Sequence, residues 1–277
     1  MEYKKGSYRL ETFGTMTTPD YVKNLLNNLT TTHITNIEVF DNIDSTSTYL
    51  QRNEKKTDNL VAIAHTQSAG RGRGTKQFDS PPGGMYMSIY KKTTLPPRLI
   101  PFVTVASALA VYDATQNCCN ITPAIKWVND VLIGDKKICG ILVNGTMTDD
   151  VLDGFIAGIG VNLNTPQNAF ASFTAARASS IAALSGQETN LARYIAAVLN
   201  AFERYTDGIL SPDSRLALAS TYGSRLSIID KEVTIDDHRT IYRAKCLGID
   251  EECRLLLQLP NGEKRALASG EIITIHH

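Results

Sequence analysis

Two arginines interleaved with three glycines, Gly70-Arg71-Gly72-Arg73-Gly74, are the residues of this chain best suited to chemistry. A guanidinium is a planar, permanently charged fork that matches carboxylate and phosphate oxygens. The glycines permit left-handed geometry and close approach, and keep the backbone entropy high until something orders it. Taken alone, the stretch also reads as a surface turn with solvated arginines. A second cluster, Lys126-Trp127-Val128-Asn129-Asp130, puts a cation beside apolar strands. A lysine there is costly to bury unless it meets an anion, and solvent exposure on an edge strand is the plainer alternative. A third cluster, Asp44-Ser45-Thr46-Ser47-Thr48, lies before a helical stretch over Tyr49–Lys56. One of these residues caps the helix, and the hydroxyls left over can bind a neutral polar group.

These clusters need a scaffold, and the hydrophobic pattern supplies it. Ile37–Phe40 alternates as a strand, and Leu60–Ala64 reads as a buried strand feeding the arginine loop through Gln67. Pro81-Pro82-Gly83-Gly84 turns the chain into a strand at Met85–Tyr90. Arg98–Asn117 is apolar nearly all round and predicts a helix buried against a sheet. Val131–Ile133, the turn Gly134-Asp135 and Lys137–Val143 predict a hairpin, with Lys126 on its first strand and Gly140 running back beside it. Phe155–Asn162 predicts another strand, whose alternate glycines leave one face bare for a flat ligand or mark a bulge. Helices are expected over Asp20–Leu29, Ala178–Leu184, Thr189–Thr206 and Pro212–Ala219. Beyond Tyr222, short alternating segments at Leu226–Ile229, Val233–Ile235, Ile241–Leu247, Leu255–Leu259 and Glu271–Ile275 predict a small all-β barrel.

Bulk composition narrows the partners. The 277 residues hold 28 Lys+Arg and 28 Asp+Glu, and zero net charge disfavours nucleic acid and favours a small-molecule or protein partner. Five cysteines, an odd number with Cys118 and Cys119 adjacent, read as reduced thiols of an intracellular protein. Cys246 and Cys253 have no partners at zinc-ligand spacing and are expected in the core. No stretch is expected to reach the ~20 apolar residues of a membrane helix. Residues 1–19 read as a loosely ordered extension whose Glu2 and Glu11 count against an organellar presequence, and His276-His277 are native or the stump of a tag.

Taken together and in order, the motifs stop being separable. The Asp-Ser-Thr cluster, Gln67-Ser68-Ala69-Gly70-Arg71-Gly72-Arg73, Lys126-Trp127-Val128-Asn129-Asp130, Gly140-Ile141-Leu142-Val143, Gly158-Ile159-Gly160-Val161-Asn162 and a terminal β domain resemble the biotin protein ligases from about residue 37 onward. The resemblance implies an α+β fold: a mixed-sheet catalytic domain over 20–220 and an SH3-like C-terminal domain over 221–277. It implies a cytoplasmic, ATP-dependent ligase that makes biotinoyl-5′-AMP and pyrophosphate, then transfers biotin to a lysine of a biotin carboxyl carrier domain. Arg73 and Lys126 would be catalytic. Ser45, Thr46, Gln67, Gly70, Arg71, Arg73, Lys126, Gly140 and Leu142 would hold biotin, and Arg71, Arg73, Phe78, Lys126, Trp127, Asn129 and Asn162 the adenylate. Mg²⁺ would be held by Asn162 or Asp130. The resemblance allows a homodimer.

This sequence departs from the family in several places. Gly74-Thr75-Lys76-Gln77-Phe78 stands where more basic residues and a tryptophan are usual, Val128 replaces a proline, and Asn144 an acid. Arg243 and Cys253 replace frequent glycines. Two related readings are weaker. A lipoate–protein ligase shares the catalytic fold but lacks the Gly-Arg-Gly-Arg loop. A DNA-binding biotin sensor needs a winged helix-turn-helix, for which the residues before the first strand leave no room.

Overall fold

Hydrophobic alternation builds the first sheet from strands β1 (Ile37–Ile43), β2 (Asn59–Gln67) and β3 (Met85–Lys92). Helix α1 (Thr46–Asn53) connects β1 to β2, and helix α2 (Ile100–Cys119) follows β3 after a 3₁₀ turn at Pro97–Leu99. Strands β4 (Ala124–Lys126), β5 (Asp130–Ile133), β6 (Lys136–Thr148) and β7 (Val151–Val161) complete the sheet in the order β1-β2-β3-β7-β6-β5-β4. β1 and β2 are parallel and every other neighbour is antiparallel, so the sheet is mixed. The computed structural model describes residues 36–53, 59–148, 151–170 and 177–276, with Leu26, Leu29 and Thr30. The expected extension at 1–19, the Asp20 cap, the helix end at Lys55-Lys56 and His277 lie outside the described residues.

The two faces of this sheet are covered unequally. Val61, Ile63, Met87 and Ile89 point into the main core beneath α2, which packs on helix α4 (Leu191–Thr206). On the opposite face Leu60, Ala62, Tyr90 and Ile156 meet Leu50 of α1 in a much smaller cluster. A helix of eight residues cannot cover that face, and the uncovered part is where the cleft forms.

Helix α2 is apolar and buried as expected, but it corrects the expectation that no stretch reaches the length of a membrane helix. The helical stretch Pro97–Cys119 is long and apolar enough to cross a membrane by length and composition, but 72% of its apolar window is buried inside the protein. Its apolar circumference is explained by contact with the sheet on one side and α4 and helix α5 (Pro212–Ser224) on the other. Helix α5 runs past the expected end at Ala219 and through the 220/221 division. The helix expected from Ala178 is the shorter α3 (Ile181–Ser185), because Ala178 is drawn into a bridge with Lys137.

The C-terminal strands β8 (Glu232–Asp236), β9 (Ile241–Ile249), β10 (Leu255–Gln258), β11 (Lys264–Leu267) and β12 (Glu271–Ile275) form an antiparallel sheet in the order β11-β10-β9-β8-β12. Leu226–Ile229 is not one of its strands. Leu226 instead bridges Ile125 of β4 in parallel, with Ile125 N–H donating to Arg225 O and Ser227 N–H to Ile125 O, both at 2.9 Å. The second sheet is thus stitched to the free edge of the first, and Ile228, Val233, Ile235 and Leu257 share its main core. Cys246 and Cys253 are buried as expected. Arg243 sits in β9 with ordinary geometry, whereas Cys253 adopts φ +61°, a position where glycine is less strained.

Candidate functional site

One cross-strand row organises the uncovered face. Tyr86 pairs with Gly160, Gly160 with Gly140, Gly140 with Asp130, and Asp130 with Lys126. Residues directly opposite one another share a face, so this row carries two bare glycines followed by an anion and a cation. Two residues along, Ser88, Gly158 and Leu142 form the parallel row. Lys126 is therefore two strands out from Gly140, on the edge strand β4, rather than on the strand beside it. The loop Ser68–Gly84 folds over these rows and closes a cleft that opens to solvent.

One end of the cleft is neutral and hydrogen-bonded. Ser45 caps α1, with its carbonyl accepting from Tyr49 N–H at 2.9 Å and its hydroxyl from Thr48 N–H at 3.4 Å. Thr46 is thereby freed to face inward, and Gln67 Oε1 accepts from its N–H at 2.9 Å and its hydroxyl at 3.1 Å. The Thr46 and Ser47 hydroxyls share Ser88 Oγ at 2.7 and 2.8 Å, and Gln67 Nε2 donates to Ser80 Oγ at 2.8 Å. Ser45, Thr46, Ser47, Ser80 and Ser88 are all buried. Such a network is held in one arrangement by its own bonds and presents both donors and acceptors.

The other end is cationic. Arg71, Arg73, Lys76, Lys126 and Lys137 line it against two carboxylates, Asp130 and Glu271. Lys137 Nζ lies 2.7 Å from Asp130, and Arg73 Nη1 donates to Asn129 Oδ1 at 3.4 Å. Asn129 Nδ2 in turn donates to Ile141 O at 2.8 Å, which orients the amide. Arg71 Nη1 reaches Gln51 of α1 at 3.2 Å. Burial lowers the Lys126 pKa, with Asp130 opposing that shift and Lys137 adding to it. An incoming anion would reverse it.

Phe78 divides the two ends. Its ring lies over the glycine pair, so that a Cβ on Gly160 would come within 2.6 Å of it and one on Gly140 within 3.0 Å. The bare face of β7 is explained by this close approach, and the shift of register in the β6–β7 pair falls elsewhere, at Thr146/Met147. The arginine loop itself is a small hairpin. Arg71 bridges Gln77, Gly72 N–H donates to Lys76 O at 2.8 Å, and Gly74 turns with φ +61°. A non-glycine residue at 74 would cost about 1 kcal/mol in that conformation, so the extra glycine is a requirement of the turn.

Most of the expected site residues meet here. Ser45, Thr46, Gln67, Arg71, Arg73, Phe78, Lys126, Trp127, Asn129, Asp130, Gly140 and Leu142 all line the cleft. Gly70 and Asn162 do not. Gly70 supports the loop base, its carbonyl accepting from Phe78 N–H at 2.9 Å, and Asn162 is buried at the end of β7. Trp127 is 3% exposed and donates its indole N–H to Cys253 O at 3.2 Å, in the connection between β9 and β10. Tyr222 of α5 donates to Val128 O at 2.9 Å, and the Trp127–Val128 peptide is cis.

Three further residues are concealed in the sequence. Ser88 is the one serine in the otherwise mostly apolar strand β3. Glu271 comes from the far end of the chain. Strict alternation would put Lys137 and Gly140 on opposite faces, but a bulge opposite Val131/Leu132 returns Lys137 to the cleft.

The comparisons agree with this architecture. The model of the biotin/lipoate A/B protein ligase family matches residues 39–162, and that of the biotin protein ligase C-terminal domain matches 228–274. The bifunctional ligase/repressor BirA of Bacillus subtilis is 31% identical over 236 residues, 84% of this chain and 71% of that protein. The chain belongs to the biotin protein ligase family. The relatives and the family models support biotin ligation as the activity of the chain. A biotin protein ligase from Aquifex aeolicus in complex with biotin and ATP is similar in fold, with TM-score 0.73 and 23% identity over 87% of this chain and 98% of that one. The Leishmania major biotin protein ligase with biotinyl-5-AMP aligns at TM-score 0.57 and 19% identity, over 84% and 99% of the two chains. Both expected parts of the α+β fold, the mixed sheet and the smaller C-terminal antiparallel sheet, are present.

Proposed function

We propose that the protein activates biotin with ATP to biotinoyl-5′-AMP and then biotinylates one lysine of a biotin carboxyl carrier domain. The supporting observation is the division of a single cleft into a neutral hydrogen-bonded end and a cationic end, with a glycine floor and Phe78 between them. A ureido ring needs donors and acceptors together, as Thr46, Gln67 and Ser88 provide. Its carboxylate would then point past Phe78 toward the basic side chains.

There a carboxylate oxygen attacks the α-phosphorus, the α–β phosphoanhydride bond breaks, and pyrophosphate leaves. Two anionic reactants must be brought together, so catalysis is chiefly positioning and charge neutralisation. Arg73, Lys126 and Lys137 are the groups placed to share that charge, with Arg71 supporting the loop and phosphates. Mg²⁺ would neutralise phosphate charge and needs only one or two protein carboxylates. Asp130 fits that need, whereas Asn162 lies outside the cleft lining. In the second half, the carrier lysine attacks the acyl carbon, AMP departs with the bonding pair, and the amine loses a proton.

Incubation with ATP, Mg²⁺, biotin and an apo carrier domain should add the mass of one biotin to the carrier. ATP–pyrophosphate exchange should depend on biotin and not on lipoate. An unmodified carrier, or exchange supported by lipoate alone, would overturn the proposal.

A further inference from the structure

We infer that Glu271 of the C-terminal sheet is a positioning residue that latches the arginine loop over the cleft by gripping Lys76. Lys76 Nζ donates to both Glu271 oxygens, at 2.6 and 2.5 Å, across 195 residues of sequence. Both residues line the cleft. Within the loop hairpin, Lys76 is tied to Gly72 through its carbonyl and to Arg73 through its N–H, at 2.8 and 3.1 Å. Holding the Lys76 side chain therefore holds the backbone that carries Arg73. Lys76 lowers the Glu271 pKa, with Lys126 and Arg73 adding to the effect, so the carboxylate faces three cations of the site.

Union of the two sheets does not require this contact. The Ile125–Leu226 bridge just before the second sheet, the Trp127–Cys253 hydrogen bond and a shared apolar core already join them. The Lys76 and Glu271 side chains are 61% and 47% exposed, as suits a bond that opens and recloses. The C-terminal sheet thus supplies a carboxylate to the tip of a loop whose base is anchored by Ser68 N–H on Ile43 O and Ala69 N–H on Asp44 O. Arg71 adds the exposed bond to Gln51, and Arg73 the long one to Asn129. The role as a lid over the acyl adenylate rests on the proposed function, but the latch itself does not.

The test uses the full-length protein and the variants Glu271→Gln, Lys76→Gln and the exchange Lys76→Glu/Glu271→Lys. Trypsin cleavage after Arg71 and Arg73, without ligand, reports loop opening independently of catalysis. Each single variant should be cut roughly two- to fivefold faster, the range expected for one half-exposed ion pair, and the exchange should return the rate to within about twofold of the parent. Thermal midpoints should stay unchanged. Release of biotinoyl-AMP without carrier should rise in the same order. Unchanged cleavage in the single variants, failure of the exchange to restore protection, or a fall in midpoint matching the gain in cleavage would each overturn the latch. Should the parent form no adenylate, the function fails while the trypsin result still decides the latch.

Discussion

The two ends of the cleft are built on opposite principles. At the neutral end, Thr46, Gln67, Ser80 and Ser88 are bonded to one another, and the serines and threonine are buried. At the cationic end, charges are gathered from a loop, an edge strand, a bulge and a second sheet, with five cations against two carboxylates. The first arrangement is complete before any ligand arrives, and the second is completed by an anion. Preorganisation at one end and charge imbalance at the other suit a ligand with a neutral head and a reacting carboxylate.

The largest expected effect tests the cationic end. Lys126→Ala and Lys137→Ala should each lower biotin-dependent ATP–pyrophosphate exchange by about 10²-fold or more, the magnitude of losing one preorganised charge at a transition state. Biotin binding measured without ATP should change far less. If either variant lost biotin affinity in step with exchange, the division of labour along the cleft would be broken.

Thr46→Val reverses the pattern. It keeps the shape while removing a hydroxyl that both donates to Gln67 and meets Ser88. Gln67 keeps the Thr46 N–H and Ser88 keeps Ser47, so losing these two buried hydrogen bonds should cost about 1–3 kcal/mol, seen as biotin affinity weakened roughly tenfold and a lower denaturation midpoint. Exchange at saturating biotin should be nearly parental. A loss in turnover with affinity intact would show that the hydroxyl network acts on the chemistry.

The unequal legibility of the two ends in the sequence has the same physical origin. Ser45, Thr46 and Gln67 stand out because their neighbours in sequence explain them: a cap, a helix start and a strand end. Ser88 looks like a tolerated serine in an apolar strand until its register opposite Gly158 is known. Lys137 sits in a Lys-Lys pair that reads as a solvated turn, and only a bulge places it on the site face. Glu271 shares no local pattern with the loop it holds. Strand β11 was hidden for a related reason: its Lys264-Arg265 carries the charges of a protected edge and lacks apolar alternation. Most core strands followed from alternation, because burial of one face is a local property. Pairing across the sheet and contacts between sheets are not.

Between the two ends, the glycine floor predicts a compensating pair. Gly160→Ala would push a methyl to 2.6 Å from the Phe78 ring, so the ring must leave its place. Overpacking of this kind costs about 1–3 kcal/mol, measurable as a shifted denaturant midpoint with unchanged slope. In a Phe78→Ala background the same substitution should cost much less. Additive costs would mean that the ring already leaves the floor freely, and the boundary between the two ends would lose its wall.

The smallest effect is on stability and has the opposite sign from the effect on activity. Burial lowers the Lys126 pKa below its ordinary value of 10.5, so the folded protein disfavours the charged form. That penalty is fully present at neutral pH and fades as pH rises through the folded-state pKa toward 10.5. Removing the charge leaves neither carboxylate unpaired, because Asp130 keeps Lys137 and Glu271 keeps Lys76. Lys126→Met should therefore stabilise the unliganded protein at pH 7 by about 0.5–1 kcal/mol while reducing exchange, and the gain should shrink in alkaline buffer. Pyrophosphate should narrow or reverse the gap, because the parent offers it one more cation than the variant does. A Lys126→Met variant less stable than the parent at pH 7 would show that the cationic end is already balanced without a ligand.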